Sequence, residues 1–126
     1  MSDQMPVVGR VAWRDLTVPN AEEIRDFYSA VVGWSWSPVD MDAYDDYNMT
    51  APSGGEAVAG ICHARGVNAK LPPQWLMYVA VEDVDESARR CRDLGGEVVD
   101  GPRPMGRWRF AVIRDPAGAY AALLSE

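Results

Sequence analysis

The chain is poor in the side chains that most often run chemistry or lock secreted folds. It has one histidine, His63, and two cysteines, Cys62 and Cys91, in 126 residues. Two thiols make no disulfide framework and read as reduced side chains of a cytoplasmic protein. A lone histidine offers no Ser-His-Asp or Cys-His arrangement and reads as a surface or strand-end side chain. No apolar run approaches the roughly 20 residues that cross a bilayer, and the opening MSDQMPVVGR lacks a hydrophobic signal segment. Positive charge is scarce. The net charge is −7, and the one basic cluster, Arg103, Arg107 and Arg109 within GPRPMGRWR, reads as a solvated loop. A nucleic-acid partner needs clustered Lys and Arg and is excluded; so is a membrane. A phosphate-cradling GxxxxGK loop is absent too.

What the chain does contain is a repeat. Residues 11–34 read VAWRDLTVPNAEEIRDFYSAVVGW, and residues 74–97 read QWLMYVAVEDVDESARRCRDLGGE. A shift of about 63 residues aligns Trp13 with Leu76, Val18 with Val81, Asn20 with Asp83, Val31 with Leu94 and Gly33 with Gly96. Each copy begins β-rich, passes Asn or Asp, and continues as an amphipathic helix that stops at glycine.

Alternation over residues 8–18 predicts a strand with Trp13, Asp15 and Thr17 on one face. Leu16 and Val18, on the other, pack beneath the next helix. Asn20 with Glu23 has the spacing of a capping box, and Ile24, Phe27, Tyr28 and Val31 form the expected buried stripe. A strand begins at Trp34-Ser35-Trp36, and others cover Tyr44–Thr50 and Ala57–Ala64, so the half reads β-α-β-β-β. Residues 65–74 are the linker. The second half repeats the plan: strand Trp75–Val81, then a helix capped by Asp83 with a stripe of Val84, Ala88, Cys91 and Leu94. A strand starts at Glu97, a loop covers Gly101–Gly106, and strands cover Arg107–Arg114 and Ala119–Leu124. The expected fold class is α+β: one domain over 1–126, made of two tandem βαβββ modules (about 8–64 and 75–126) with curved mixed sheets around a shared cleft.

The segments FYSAVVGW, VEDVDESARRCRDLGGEV and DPAGAYAALL, in that order and with the duplication, resemble the vicinal oxygen chelate superfamily. That family includes glyoxalase I, extradiol dioxygenases and the fosfomycin and bleomycin resistance proteins. The resemblance covers nearly the whole chain. It implies a cleft that in many members holds one divalent ion on His or Glu ligands, and a homodimer. The ligand positions fall here on Trp13, Leu76, Ala122 and, approximately, Gly60. Indole, isobutyl, methyl and hydrogen offer no lone pair to a cation, so the expectation is no metal and no cofactor.

Ligand-binding candidates are then Trp13, Asp15, Leu76, Tyr78, Tyr120, Ala122, Trp34, Trp36 and Trp108, an aromatic pocket with one carboxylate suited to a flat apolar or aromatic molecule. Asp15 with Tyr78 or Tyr120 is the candidate acid/base pair of an alternative, a metal-free isomerase, cyclase or lyase. A metal-dependent glyoxalase-like lyase or dioxygenase is the third reading. Trp13 has a simpler reading as packing that fills the cleft.

Overall fold

In a computed structural model the described residues are 6–126. The elements run β1 (Val11–Val18), α1 (Ala21–Val32), β2 (Ser35–Asp40), β3 (Asp45–Thr50), β4 (Ala57–His63), β5 (Trp75–Ala80), α2 (Val84–Asp93), β6 (Glu97–Met105), β7 (Trp108–Arg114) and β8 (Tyr120–Ser125). The order is βαβββ twice, a mixed α+β fold as the repeat predicts. The chain divides into two compact units. One, here the α1 unit, is Arg14–Trp75; the other, the α2 unit, joins the residues up to Trp13 with Leu76–Glu126.

In the α1 unit the strand order is β2-β3-β4-β1. Strands β1 and β4 run parallel with Asp15 opposite Gly60 and Thr17 opposite Cys62. Strand β3 is antiparallel to both neighbours, with Asn48 opposite Gly60 and Tyr47 opposite Ile61. Because side chains alternate along a strand, these registers sort the residues cleanly. Leu16, Val18, Tyr47, Met49, Ala59 and Ile61 share the face that packs with Ala21, Ile24 and Tyr28 of α1. Gly33 ends α1 in the left-handed conformation at φ 79°, its N–H bonded to the Ser29 carbonyl.

The α2 unit follows the order β5-β8-β7-β6. Its parallel pair, β5 with β8, sets Tyr78 opposite Ala122. By the 63-residue shift Tyr78 is the repeat equivalent of Asp15, so both parallel pairs are built at the same place in their modules. Val84 of α2 packs with Ala111 and Leu123 on one face. Asp83 caps α2 as expected, accepting from the N–H groups of Asp85 and Glu86.

Four expectations need correction. The Asn20 side chain makes no cap bond to the α1 backbone; its amide instead donates to the Glu23 carboxylate at 3.3 Å. Phe27 and Val31 are not buried but 54% and 62% exposed: Ile24 and Tyr28 already face the sheet, and a helix this short covers it with a narrow stripe. Leu94 is 78% exposed, because α2 has ended at Asp93 and its residue is no longer on the helical period. The stretch Gly101–Gly106 is not a loop down to Met105. It belongs to β6, with Arg103 opposite Phe110 and Pro104 opposite Arg109, after register shifts around Asp100. Proline is tolerated because β6 is an edge strand, where one side needs no N–H donor.

Candidate functional site

Five of the predicted residues come together on one face. Registers across β5, β8 and β7 place Tyr78 beside Ala122 and Ala122 beside Val112. Two residues along each strand, Leu76, Tyr120 and Phe110 share that face, with Trp108 a further two along β7; the face is opposite α2. Leu76, Tyr78, Trp108 and Ala122 are all buried, Tyr78 at 7% and Ala122 at 0% exposed; Tyr120 is half-buried. The floor is therefore hydrocarbon and ring. Its β6 side carries the guanidinium of Arg103, 4.2 Å above Phe110, and that of Arg107, 5.1 Å from Trp108. Arg103 is also paired with Asp100, and Arg109 with Asp85 in a two-pronged contact at 2.9 Å. So two of the three arginines read as solvated are instead held in ion pairs.

Asp15 belongs to the α1 unit and stands on the face of β1 away from α1, half-buried. Its neighbours across the sheet are polar or small: Gly60, Asn48, Thr17 and Cys62. Both Asp15 and Tyr78 are engaged in interactions with other groups. Trp13 is half-buried.

Trp34 and Trp36 lie elsewhere, on the side of the sheet that α1 covers. Trp34, Trp75 and Tyr28 form an aromatic trio with centroids 5.3–5.9 Å apart, and the Trp75 indole N–H donates to the Tyr28 hydroxyl at 3.0 Å. Trp36 packs on Tyr47, and the Arg25 guanidinium stacks 3.9 Å over its ring. These rings pin α1 to its sheet.

Sequence reasoning missed the group around His63. Its Nε2 lies 3.0 Å from Glu22 Oε2 and its Nδ1 3.2 Å from Asp46 Oδ1. The same Asp46 oxygen accepts the His63 backbone N–H at 2.8 Å. The Glu22 carboxyl is held below its ordinary range by a backbone hydrogen bond first and by His63 second. Burial, then the charges of Asp15 and Asp46, push the Cys62 thiol far above its ordinary value, so it stays protonated. The missed signal is alternation: in DDYNM and AGICH the apolar residues fall on the α1 side, leaving Asp46, Asn48, Gly60 and Cys62 on the other.

Chemically, Trp13, Leu76, Ala122 and Gly60 bring no metal-ligating side chain to the positions the family resemblance marks. Among the described residues no group of three or more His, Cys, Asp or Glu is arranged to hold a metal ion. The residues present therefore do not fit that ion. A groove of about 700 Å³ lies beside α2, lined by Val8, Val79, Val81, Glu82, Ser87 and Arg90 among others. Glu86, Ser87 and Arg90 of α2 line it, and Leu76, Tyr78, Trp108, Tyr120 and Ala122 do not.

The sequence pattern of the Glyoxalase/Bleomycin resistance protein/Dioxygenase superfamily matches residues 8–123. The chain belongs to that superfamily. Among curated relatives of this superfamily member, a Mycobacterium tuberculosis protein carrying the name glyoxylase CFP32 is 32% identical over 117 residues, covering 92% of the chain and 44% of the relative. The anthracycline biosynthesis protein DnrV of Streptomyces peucetius is 31% identical over 128 residues, 91% of the chain and 46% of the relative. The chain thus spans less than half the length of the curated relatives it matches. A solved structure with this fold is the methylmalonyl-CoA epimerase of Streptomyces coelicolor, at TM-score 0.57 and 17% identity over 94% of this chain and 97% of that one. No helix among the described residues is long and apolar enough to cross a membrane.

Proposed function

We propose that the chain is a metal-independent small-molecule binding protein that holds an apolar or aromatic ligand. What supports this reading is that the positions the family resemblance marks for metal ligands fall on Trp13, Leu76, Ala122 and, approximately, Gly60, none of which brings a donor side chain. Hydrocarbon in those places exchanges a charge-based grip for area burial, worth about 25 cal/mol per Å² of apolar surface removed from water. Within the α2 unit, Tyr78, Tyr120 and Trp108 add rings to the face that carries Leu76 and Ala122, and aromatic pairs prefer flat or edge-on partners. The likeness to anthracycline biosynthesis proteins supports a planar, ring-containing ligand. The superfamily also supports a homodimer, which analytical ultracentrifugation reads directly.

Titration of the purified protein with a panel of planar aromatic compounds, followed by tryptophan fluorescence, tests the reading. Saturable quenching at one ligand per chain is expected. Failure of every ring class to perturb the signal overturns it.

A second reading draws on the glyoxylase name of the relatives: a metal-free lyase or isomerase in which Asp15 acts as the acid/base group. Turnover that survives EDTA and is lost in Asp15→Ala supports this role; turnover untouched by the substitution rejects it.

A further inference from the structure

We propose that the groove beside α2 is a binding site of its own, for an apolar molecule that carries a protonated amine. The groove lies within the α2 unit, lined by none of the residues of the Tyr78 face, so this site is independent of the binding reading above.

The repeat explains why the groove is there. In the α1 unit Ile24 and Tyr28 of the helix pack against the buried Leu16 and Val18 of β1. The 63-residue shift carries Leu16 and Val18 to Val79 and Val81, and Ile24 and Tyr28 to Ser87 and Cys91. Two large helix side chains have become small ones. Helix α2 seats Val84 against Ala111 of β7 and Leu123 of β8, and Val79 and Val81 are left only half-buried. The opposite wall comes from the segment before β1. The Gly9 N–H bonds to the Ala80 carbonyl at 2.7 Å, and the Ala80 N–H to the Arg10 carbonyl at 2.9 Å, which holds the exposed Val8 beside β5. The groove between these walls, about 700 Å³, has the size of a small-molecule site, roughly 300–1,000 Å³.

The rim selects the charge. Glu82, Asp83 and Glu86 line the groove against one cation, Arg90, and Arg90 is paired with Glu86 at 3.3 Å. Glu82 makes no hydrogen bond or ion pair among the described residues, so its carboxylate is available to an ammonium group. An anion has no such opening, although a helix N-terminus ordinarily attracts one. The Val84 N–H is bonded to the Ser125 hydroxyl, those of Asp85 and Glu86 to the Asp83 carboxylate, and that of Ser87 to the Asp83 carbonyl. The positive end of α2 is thus already answered by the chain itself. A cation with a hydrocarbon body can bury that body against Val8, Val79 and Val81 while its charge meets Glu82 at the edge.

Calorimetric titration at pH 7 with naphthylmethylamine, naphthylmethanol and naphthoate tests this in the wild type and two variants. Ser87→Ile restores the side chain that the α1 unit has at this place and fills the groove. Glu82→Gln keeps the shape and removes the charge. The amine is expected to bind about fivefold more tightly than the alcohol, an advantage that shrinks as salt is added, and the naphthoate most weakly. Glu82→Gln should erase the amine's advantage and leave the alcohol unchanged. Ser87→Ile should weaken amine and alcohol together; circular dichroism verifies the fold of each variant. Equal affinity of amine and alcohol in the wild type overturns the proposal, as does an amine advantage that survives both substitutions. Absence of amine binding overturns it too. A wild-type dimer that Ser87→Ile converts to monomer in the ultracentrifuge would give the groove to a second copy of the chain, and also overturns it.

Discussion

Raising the pH above 9 should loosen the fold through a single thiol. In the unfolded chain Cys62 loses its proton near its ordinary value of 9.0, whereas in the folded chain burial and the charges of Asp15 and Asp46 hold that proton far higher. The folded state therefore binds the proton more tightly. Its stabilising contribution is complete below pH 9 and is lost as pH rises above it, at a slope of about 1.4 kcal/mol per pH unit until the folded thiol itself ionises. Between pH 8 and pH 10 the loss comes to about 1.4 kcal/mol. Urea unfolding of the wild type and of Cys62→Ala at pH 8, 9 and 10 isolates the effect, since the tyrosines titrate in both proteins. The stability gap between the two should change by about 1.4 kcal/mol across that range, to the wild type's disadvantage. A gap that stays constant would mean that the thiol ionises as easily folded as unfolded, and the electrostatic description of the Asp15 face would be wrong.

Three other outcomes follow from the packing. His63→Ala takes the imidazole from the buried Asp46 carboxylate, which keeps the backbone N–H of residue 63 and the Cys62 thiol, and should cost about 2 kcal/mol by urea unfolding. Met49→Ala opens a hole under α1 where the side chain is fully buried, and should cost about 2–5 kcal/mol by the same measurement. Asp83→Ala removes the α2 cap and should cost about 1 kcal/mol, whereas Asn20→Ala, with no cap bond to lose, should cost less than half as much.

The residue pattern carried most of the architecture. Two βαβββ modules were legible because the repeat preserves the signals that punctuate a chain: a strand of alternating residues, Asn or Asp before each helix, glycine after it. What was not legible depended on context beyond the segment. Nothing in the spacing of Ile24, Phe27, Tyr28 and Val31 says how wide the α1-facing surface is, so Phe27 and Val31 could not be told from core. Nothing in GPRPM says that it lies on a sheet edge, where proline does no harm to a ladder. Asn20 has the residue type of a cap, but its amide finds the Glu23 carboxylate first.

Which face several of the candidate residues stand on was readable to the same degree. The phase of β1 put Asp15 and Thr17 on the face away from Leu16 and Val18. The repeat carried that phase to Leu76 and Tyr78, and the registers gather these with Tyr120, Ala122 and Trp108. Trp34 and Trp36 are a different matter. Composition suggested ligand contacts, but rings beside a helix serve equally well as its anchor, and here Tyr28, Arg25 and Tyr47 occupy them. Gly60 was placed as a lost ligand position; that it lies between Asp15 and Asn48 needed the pairing of three strands.

The central claim is that ligand binding here needs no metal. The direct measurement is the calorimetric affinity for a planar aromatic ligand, taken after exhaustive EDTA dialysis and again after adding back one equivalent of zinc, manganese or magnesium. The account predicts the same dissociation constant in every sample. Binding that vanishes on chelation and returns with one equivalent of a divalent ion would contradict it.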